Sequence, residues 1–432
     1  MIKHLLKQIW VMRSKNIWVI LELFLVFIVF WYVVDFFSVM GINTATPVGA
    51  DIKNVYRVIY SVYMPDNPQY TPYENRHLGS GLYARSEEPG KNFLRMVERL
   101  REHPEIESVC TGTEGYYPYG FLRTGMSIYN SDSLLIDVKS FNVSPEYFKM
   151  FNVLPSGGTD PEVLTQAILE KNSIILSEKT KEAIFKDAST VGQMARGQGS
   201  AIYGFKVSGV TRHIKQHEYT RPGFYIISLF DENNVIVMDE NNIPNYIDIC
   251  IKTRPGVSST DFPERFKNEM RNQLAIGNYF LVDIIPLTKQ REMYLKASGI
   301  TTTLNYRIGI SIFFLINIFL GVLGTFWLRI EKRKPEIGIR MSMGSTKVLI
   351  MKQMFTESMC LLGIASVPAI LVCVNMAFMD IMPTENMDFT VVRFLLNTFI
   401  TYILFIVVIS LSTLYPARRL ANIKPAEALH YE

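Results

Sequence analysis

The chain contains few of the residues and motifs from which catalytic and metal sites are usually built. Its 432 residues include only four cysteines and six histidines. It contains no G-x-x-x-x-G-K-S/T, which excludes a P-loop for ATP. It also lacks G-x-S-x-G, H-E-x-x-H and C-x-x-C, the signatures of common hydrolase, zinc-protease and redox sites. We therefore predict no catalytic, cofactor or metal site, and an enzyme tethered to the membrane is the least favoured class.

Three short patterns have a functional and a structural interpretation. His213 and His217 are four apart in "HIKQH" and could share a metal on a helix, but the stretch follows a strand-like segment and offers no third ligand. Residues 196–204, "RGQGSAIYG", lack the strand–turn–helix context of a dinucleotide site. The stretch "GYYPYGF" at 115–121 is typical of a packed turn, with a protein contact surface as the alternative.

The four cysteines do not form a disulfide scaffold. Cys360 and Cys373 lie in an apolar run, whereas Cys110 and Cys250 lie in a polar block. The second pair could join if that block faces an oxidising compartment. Because sequence alone fixes no geometry, whether they pair stays open at this stage.

Long apolar runs, in contrast, are abundant. The first has 18 residues and spans about 27 Å as a helix, enough to cross a bilayer core. Three more runs of similar length follow in the last third of the chain. The four predicted spans have their apolar cores at 17–34, 308–328, 359–379 and 394–415.

The positive charge lies beside these runs. The net charge is only +4, and the block at 41–306 is nearly balanced, so the surplus of Lys and Arg flanks the spans. Such a distribution predicts topology rather than nucleic-acid binding. Both termini and the loop at 329–352 are expected inside, with the 41–306 block and the loop at 380–393 outside. Residues 1–16 are predicted to form an amphipathic helix along the inner membrane surface, in contact with lipid.

Two acids interrupt the first span. Glu22 and Asp35 lie near its opposite ends. An acid within a span is costly and often functional, but near the headgroups it can hydrate cheaply. For Asp35 the hydrated interpretation is preferred, and for Glu22 both remain open.

The outside block alternates strand-like and helix-like segments. An amphipathic helix is predicted in 91–109 up to a break at Pro104, and a second, capped by Ser or Thr, from about Thr260. Each lies between two segments with strand patterns, which gives two β-α-β units and one split α+β domain. Residues 144–225 would form an inserted lobe, and 287–307 a helical stalk running to the second span. Strands are predicted at 54–64, after Pro104, at 132–143, at 245–253 and at 278–287.

The basic loop has a pattern that charge alone does not explain. In "KPEIGIRMSMGSTK", Glu336 would lie in the first turn of a helix, where the helix dipole favours an acid. Ile337, Met341 and Gly344 share one face of that helix. We therefore predict a docking element for a cytoplasmic partner. Its candidate residues are Glu336, Ile337, Gly338, Arg340, Met341 and Gly344, with Glu22 and Glu357 as candidate structural residues within the spans.

The same loop resembles that of MacB/FtsX-like permeases of ABC systems. The residues that carry the resemblance are "EKRKPEIGIRMSMGSTK", a later acid matched by Glu357, and the tail "YPARRLANIKPAEALHYE", with His430 where Arg is common. Segments 142–158 and 173–193 also resemble the outside domain of that family, with Ser177 in place of its usual Asn.

The resemblance implies four spans, a porter-like outside domain and a pair of permease chains, either identical or different. It also implies ATP-binding subunits on separate polypeptides, which would hold the ATP and Mg. The expected protein is an inner-membrane permease subunit that couples ATP hydrolysis to movement of a periplasmic domain, for efflux of a small molecule or peptide. An FtsX-like regulator of a periplasmic partner and a lipoprotein-extracting permease are the alternatives. A periplasmic adaptor and an outer-membrane channel are optional partners, and the cargo is not predicted.

The predicted fold class is an α-helical membrane protein with an α+β extracytoplasmic domain. The domains follow the chain in this order: a cytoplasmic helix at 1–16, a first span at 17–40, a periplasmic domain at 41–286 (porter-like at 50–143 and 226–286, inserted lobe at 144–225), a stalk and second span at 287–328, a coupling loop at 329–352, a third span at 353–379, an external loop at 380–393, a fourth span at 394–415, and a cytoplasmic tail at 416–432.

Overall fold

The computed structural model describes residues 13–73, 76–79, 82–84, 86–121, 125–129, 134–186, 190–197, 204–379 and 386–421. The chain divides into two compact units, residues 1–45 with 302–432, and residues 46–301. Several predicted segments lie wholly or partly outside the described residues: 1–12 of the N-terminal helix, 198–203 of the glycine-containing stretch, 380–385 of the external loop and 422–432 of the tail.

The described helices and strands are as follows. The α-helices are α1 Arg13–Ala45, α2 Glu88–Arg101, α3 Tyr147–Met150, α4 Glu162–Ile168, α5 Glu178–Phe185, α6 Ile243–Tyr246, α7 Phe262–Met270, α8 Leu287–Ala297, α9 Ile300–Glu331, α10 Lys334–Ser342, α11 Lys347–Phe378 and α12 Val391–Ala421. The strands are β1 Val55–Val62, β2 Arg76–Gly79, β3 Leu82–Ala84, β4 Ile106–Thr113, β5 Gly125–Tyr129, β6 Leu135–Val143, β7 Ser173–Ser177, β8 Met194–Ala195, β9 Phe205–Thr211, β10 Tyr225–Leu229, β11 Ile247–Thr253 and β12 Tyr279–Pro286. A short 3-10 helix covers Glu232–Val237.

Four of these helices are long and apolar enough to cross a membrane: α1, α9, α11 and α12. Helix α1 packs against both α11 and α12. Phe27 of α1 stacks on Phe405 of α12, with ring centroids 5.6 Å apart. On α11, Ala365 and Ala369 are fully buried, and such small side chains let neighbouring helices approach closely. The predicted class of four-span membrane protein is confirmed.

The α/β unit is built on one ten-stranded sheet, and its first half unites the two predicted β-α-β segments. The strand order β12-β1-β11-β4 is antiparallel throughout. Helix α2 connects β1 to β4, and α7 connects β11 to β12. The two β-α-β units therefore interleave as in a ferredoxin-like β-α-β-β-α-β fold. Aromatic side chains of the helices, including Phe93 and Phe266, fill the core against this sheet.

The second half of the sheet continues from β4 in the order β6-β10-β7-β9-β8, with β5 on β6. Strands β6 and β10 are parallel, and β7 and β9 are parallel. The junction between the halves is narrow, since β4 and β6 share a single register pair, Gly112 with Val143. A Cβ on Gly112 would lie 2.6 Å from the Asn142 carbonyl oxygen, so the close approach requires glycine. The limits of the inserted lobe, 144–225, stay a prediction. The strands that flank these limits, β6 and β10, pair with each other, and β10 also pairs with β7 of the lobe.

Two local expectations are corrected. The helix predicted from about Thr260 begins at Phe262, its N-cap is Asp261 in helical conformation, and no side-chain cap bond forms. Pro263 accounts for this start, because proline is favoured in the first turn, where its missing N–H has no partner to lose. The predicted stalk is helical but interrupted, since α8 ends at Ala297 and Gly299 has a φ of 69° before α9 begins.

Candidate coupling segment and membrane cavity

Helix α10, the predicted docking element, is fixed at its C-terminal end by a Schellman motif. The Ser345 amide donates to the Arg340 carbonyl at 3.0 Å, and the Gly344 amide donates to the Met341 carbonyl at 3.1 Å. Gly344 has a φ of 93°, which explains why glycine stands there. Two residues later, the Thr346 hydroxyl caps α11 by accepting from the Leu349 amide at 3.3 Å. The turn between α10 and α11 is therefore tight and well defined.

Polar contacts connect α10 to α11. The Arg340 guanidinium donates to Glu336 Oε1 at 2.7 Å and to Gln353 Oε1 at 2.6 Å. Glu336 and Arg340 are one helical turn apart, so their pairing supports α10 itself. The bond to Gln353 reaches α11. Glu336 and Arg340, the two charged residues predicted for docking, are therefore bonded within the segment. Only part of their hydrogen-bonding capacity is available to a partner.

A buried acid holds the segment to the spans. Glu357 on α11 is 4% exposed and accepts from two arginines, Arg329 of α9 and Arg333 between α9 and α10, each at 2.5 Å. A buried carboxylate needs such partners, because a charge that loses its hydration without gaining a partner costs several kcal/mol. Glu357 therefore joins α9, α11 and the α9–α10 connection.

The apolar face predicted for docking is corrected in part. Ile337 is 6% exposed and lies in a cluster with Ile330, Ile350 and Met354, against which Met341 also packs. Gly338 is buried as well. Ile337 therefore fixes α10 to the ends of α9 and α11 and does not face outward, whereas Met341 packs against the same cluster and remains partly exposed. Helical spacing showed which residues share a face, but not which way that face points.

Other apolar residues of the segment are exposed. Ile339 is 50% exposed and Met343, one turn further, is 82% exposed. Val348 and Leu349 at the start of α11 are also exposed. Sequence reasoning missed these residues, although the four-residue spacing of Ile339 and Met343 was a signal for a second apolar face.

Glu22 connects two spans. Its Oε2 accepts from the Thr325 hydroxyl of α9 at 2.8 Å. A Cβ on Gly321, one turn before Thr325, would lie 3.4 Å from Glu22 Oε1, so glycine leaves room for the carboxylate. Glu22 is half-buried and shares a hydrogen bond between helices, a common way in which polar side chains join spans.

The preferred interpretation of Asp35, hydration near the headgroups, is wrong. Asp35 is 2% exposed and forms a bidentate pair with Arg393 of α12, at 2.7 and 2.6 Å. Asn397 donates to Asp35 Oδ1 at 2.6 Å. Arg393 and Asp35 are 358 positions apart, so no local pattern links them. A planar, two-bond contact is the geometry that guanidinium and carboxylate prefer.

A cavity of about 260 Å³ lies beside this ion pair, within the membrane unit. Its walls come mainly from α1 and α9 and are mostly apolar. Asp35, Arg393 and Arg307 bring charge to one part of it, and the Arg307 guanidinium lies 5.9 Å from the centre of the Phe36 ring. Apolar walls with a few convergent polar groups are typical of a ligand site.

The remaining sequence candidates lie in the α/β unit. His213 and His217 lie in a loop, not on a helix, and no cluster of potential metal ligands occurs among the described residues. Burial, reinforced by Lys139 and Lys215 and opposed by Glu218, lowers the pKa of His217 to about 4. Tyr116 and its neighbours are buried, as expected for a packed turn.

The fold and these sites define a class: a membrane protein with four spans, an α/β domain between the first and second, and a short helix clamped between the second and third. Residues 308–425 match the family model for the FtsX-like permease C-terminal domain. Over 355 residues the chain is 22% identical to the ABC transporter permease YvrN of Bacillus subtilis (strain 168), covering 78% of each chain. The chain is thus homologous to an ABC transporter permease and contains an FtsX-like permease domain, which confirms the resemblance drawn from its motifs.

Solved structures of outside domains are also similar, at low identity. The periplasmic region of MacB from Actinobacillus actinomycetemcomitans is 13% identical, with a TM-score of 0.31, over 54% of this chain and 90% of that one. A permease domain from Porphyromonas gingivalis is 14% identical, with a TM-score of 0.34, over 55% and 92%. The extracellular domain of the transporter YknZ from Gram-positive bacteria is 11% identical, with a TM-score of 0.30, over 53% and 100%.

Proposed function

We propose that this chain is the permease subunit of an ABC system and couples ATP hydrolysis by a separate ATP-binding subunit to a conformational change of the 46–301 unit. The observation that carries the proposal is the construction of α10. A short helix is held rigidly to the ends of two spans by a buried apolar cluster and by Glu357, while Ile339 and Met343 on its other side are exposed. Because α10 is held rigidly to two spans and still exposes an apolar face, a partner that docks on this face could transmit force to the spans.

The proposed topology follows from charge. The family and the four apolar helices indicate an inner-membrane protein with an extracellular domain. Lys and Arg flank the first span at its start and fill the loop around α10, so we propose that both lie in the cytoplasm. Both termini would then be cytoplasmic and the 46–301 unit periplasmic. Two permease chains would act with two ATP-binding subunits, which would hold the ATP and Mg.

The residues divide into two roles under this proposal. Ile339 and Met343 would contact the ATP-binding subunit. The packing that keeps α10 rigid would come from Ile337, Gly338, Met341 and Gly344. The polar contacts that hold α10 to α11 would come from Arg340, supported by Glu336. Nucleotide binding must then favour one arrangement of the spans by a few kcal/mol to shift its population usefully.

The test compares the same substitution at two residues, one on each side of α11. Met343→Glu places a charge on the proposed docking face, and Met379→Glu places the same charge at a residue of similar exposure, 71% against 82%, beyond the far end of that helix. With the purified permease and its ATP-binding subunit, Met343→Glu should weaken association roughly tenfold or more and remove stimulation of ATP hydrolysis, since an unpaired carboxylate in an interface costs well over 1.4 kcal/mol.

Met379→Glu should leave both association and stimulation intact. Equal loss in the two variants, or full activity of Met343→Glu, would contradict the docking assignment. Failure of any ATP-binding subunit to purify with the wild-type chain would contradict the proposed function as a whole.

A second candidate concerns the cargo. The cavity between α1 and α9 combines apolar walls with Arg307, Arg393 and Asp35. This favours an amphiphile, as in small-molecule efflux or lipoprotein extraction, over regulation of a periplasmic partner, which requires no cavity in the membrane. Ser311→Trp would fill the cavity, because Ser311 lies on its wall and is buried. Loss of transport with retained ATPase stimulation would support the cargo role, and unchanged transport would contradict it.

A further inference from the structure

Two cysteines of the α/β unit lie directly opposite each other. Cys110 is on β4 and Cys250 on β11, and the register of this antiparallel pair matches Cys250 with Cys110. Both side chains are fully buried in the same core cluster. Strand β4 belongs to the first β-α-β unit and β11 to the second, so the two cysteines meet where the split domain closes across its insertion.

The pairing geometry suits a covalent bond. Opposite residues of an antiparallel pair project to the same face, with Cα atoms about 4.5 or 5.5 Å apart. Disulfides span Cα separations of about 4.4–6.8 Å, so the register alone places these residues within range. Both cysteines are free thiols in the structure, and Cys110 Sγ lies 3.5 Å from the Ser144 hydroxyl and 3.8 Å from the Thr111 carbonyl oxygen.

The other two cysteines provide a contrast. Cys360 and Cys373 both lie on α11. Thirteen positions along a helix correspond to about 20 Å, so these two cannot join within one chain. They are also within a span, away from soluble oxidants. Only the pair in the α/β unit has both a suitable partner and, in the proposed topology, an oxidising environment.

We propose that Cys110 and Cys250 form a cross-strand disulfide when the α/β unit is exported. The inference rests on the extracellular location of that unit and not on ATPase coupling. The reaction is thiol–disulfide exchange with a disulfide-bearing oxidant, such as a dithiol–disulfide oxidoreductase. The first thiolate opens the oxidant's disulfide to give a mixed disulfide, and the second displaces the oxidant from it. The two thiols lose two protons and two electrons, and the oxidant leaves as a dithiol.

The structure also sets the order of events. Burial raises the pKa of the Cys110 thiol to about 12, and burial raises that of Cys250 well above its usual range. Because the thiolate is the reacting species, the closed domain is inert to exchange. The bond therefore forms before β4 and β11 are covered, and afterwards the same burial protects it from reductants. It would then hold the two β-α-β units together across the inserted lobe.

The test counts thiols in the full-length protein. A Cys360→Ala/Cys373→Ala variant keeps only the pair in question. Purified from membranes, unfolded in denaturant and treated with iodoacetamide, it should take up no label until a reductant is added. Digestion without reductant should yield a Cys110–Cys250 peptide pair that is lighter by two hydrogens than the two free peptides together. Protein that is reduced in denaturant and refolded in reductant should also show an unfolding midpoint of the α/β unit that is roughly 5–15 °C lower.

A location control separates the two ways in which the inference can fail. Val237 is 71% exposed in the α/β unit, and Val237→Cys introduces a reporter thiol there. In spheroplasts, a membrane-impermeant maleimide should label it. Label on Val237→Cys together with free Cys110 and Cys250 would overturn the pairing itself. If Val237→Cys is not labelled and Cys110 and Cys250 are free, the α/β unit is not exported and the inference fails for that reason. The ATPase docking test would be unaffected by this result.

Discussion

The two units of this protein provide examples of two ways of burying a titratable group. In the membrane unit, Asp35 and Glu357 are buried with arginine partners at 2.5–2.7 Å. In the α/β unit, Asp248 is also paired, with Arg57 at 2.9 Å, but burial shifts the pKa of His217 and Cys110 so that the neutral form persists. Paired charges can fix one helix against another in a direction-specific way, whereas neutral groups pack like ordinary core residues. Both units also contain large apolar core clusters, so the paired charges of the membrane unit add orientation to ordinary packing.

The two acids of the membrane unit differ in what they connect. Asp35 joins α1 to α12, helices far apart in sequence. Glu357 joins α9 and α11, which flank α10, and has two arginines for one carboxylate. The first contact stabilises the helix bundle beside the cavity, and the second holds the proposed coupling segment to its spans.

The largest effect is expected where a paired charge is broken. Asp35→Ala leaves Arg393 buried without its carboxylate and should cost about 3–5 kcal/mol of unfolding free energy, measured by thermal unfolding in detergent. Glu22→Ala on the same helix removes only a hydrogen bond to Thr325 and should cost about 1 kcal/mol. The double variant Asp35→Leu/Arg393→Met should recover most of the loss. Equal effects of the two single variants would contradict the ion-pair assignment.

A buried group that stays neutral should instead make the unfolding free energy depend on pH. The pKa of His217 is near 4 in the fold and about 6.5 when unfolded, so the unfolded state binds an extra proton between these values. Stability contributed by neutral His217 is present above pH 6.5 and is lost as pH falls toward 4, by about 2–3 kcal/mol. His217→Gln should flatten this slope in unfolding experiments, and an unchanged slope would contradict the burial of a neutral imidazole.

The second acid should have a smaller effect on stability and a larger one on coupling. Glu357→Gln keeps the shape of the side chain but removes the carboxylate that Arg329 and Arg333 share, at about 2 kcal/mol. We expect stimulation of the ATP-binding subunit to fall along with stability. Glu336→Gln, at a half-exposed pair, should cost about 0.5 kcal/mol. Full ATPase stimulation in Glu357→Gln would show that the clamp on α10 is not needed for coupling.

The smallest effect concerns the turn after α10. Gly344 has a φ of 93°, and alanine there should cost about 1–2 kcal/mol because a Cβ disfavours that conformation. Gly363, inside α11, has open space around it and no positive φ, so Gly363→Ala should cause no loss. Similar midpoints for the two variants in thermal unfolding would contradict the role given to the Schellman turn.

Much of the fold was accessible from the sequence because its signals are local. Apolar runs of 18 or more residues identified four spans, and alternation with amphipathic periodicity identified the elements of both β-α-β units. The pattern "KPEIGIR" placed α10 within its bounds, since Pro335 and Glu336 favour a helix start. The helix that we propose for coupling could therefore be predicted from the residues alone.

Which groups meet could not be read in the same way. The Asp35–Arg393 pair, the cavity beside it and the inward direction of Ile337 depend on how helices distant in sequence are rotated against each other. The opposition of Cys110 and Cys250 depends on the interleaving of strands separated by the whole lobe. Sequence by itself determined which segments form helices, strands and spans, because those are set by the periodicity of neighbouring residues. Tertiary structure alone decided which side chains become partners, because burial and charge pairing are settled only when distant faces come together.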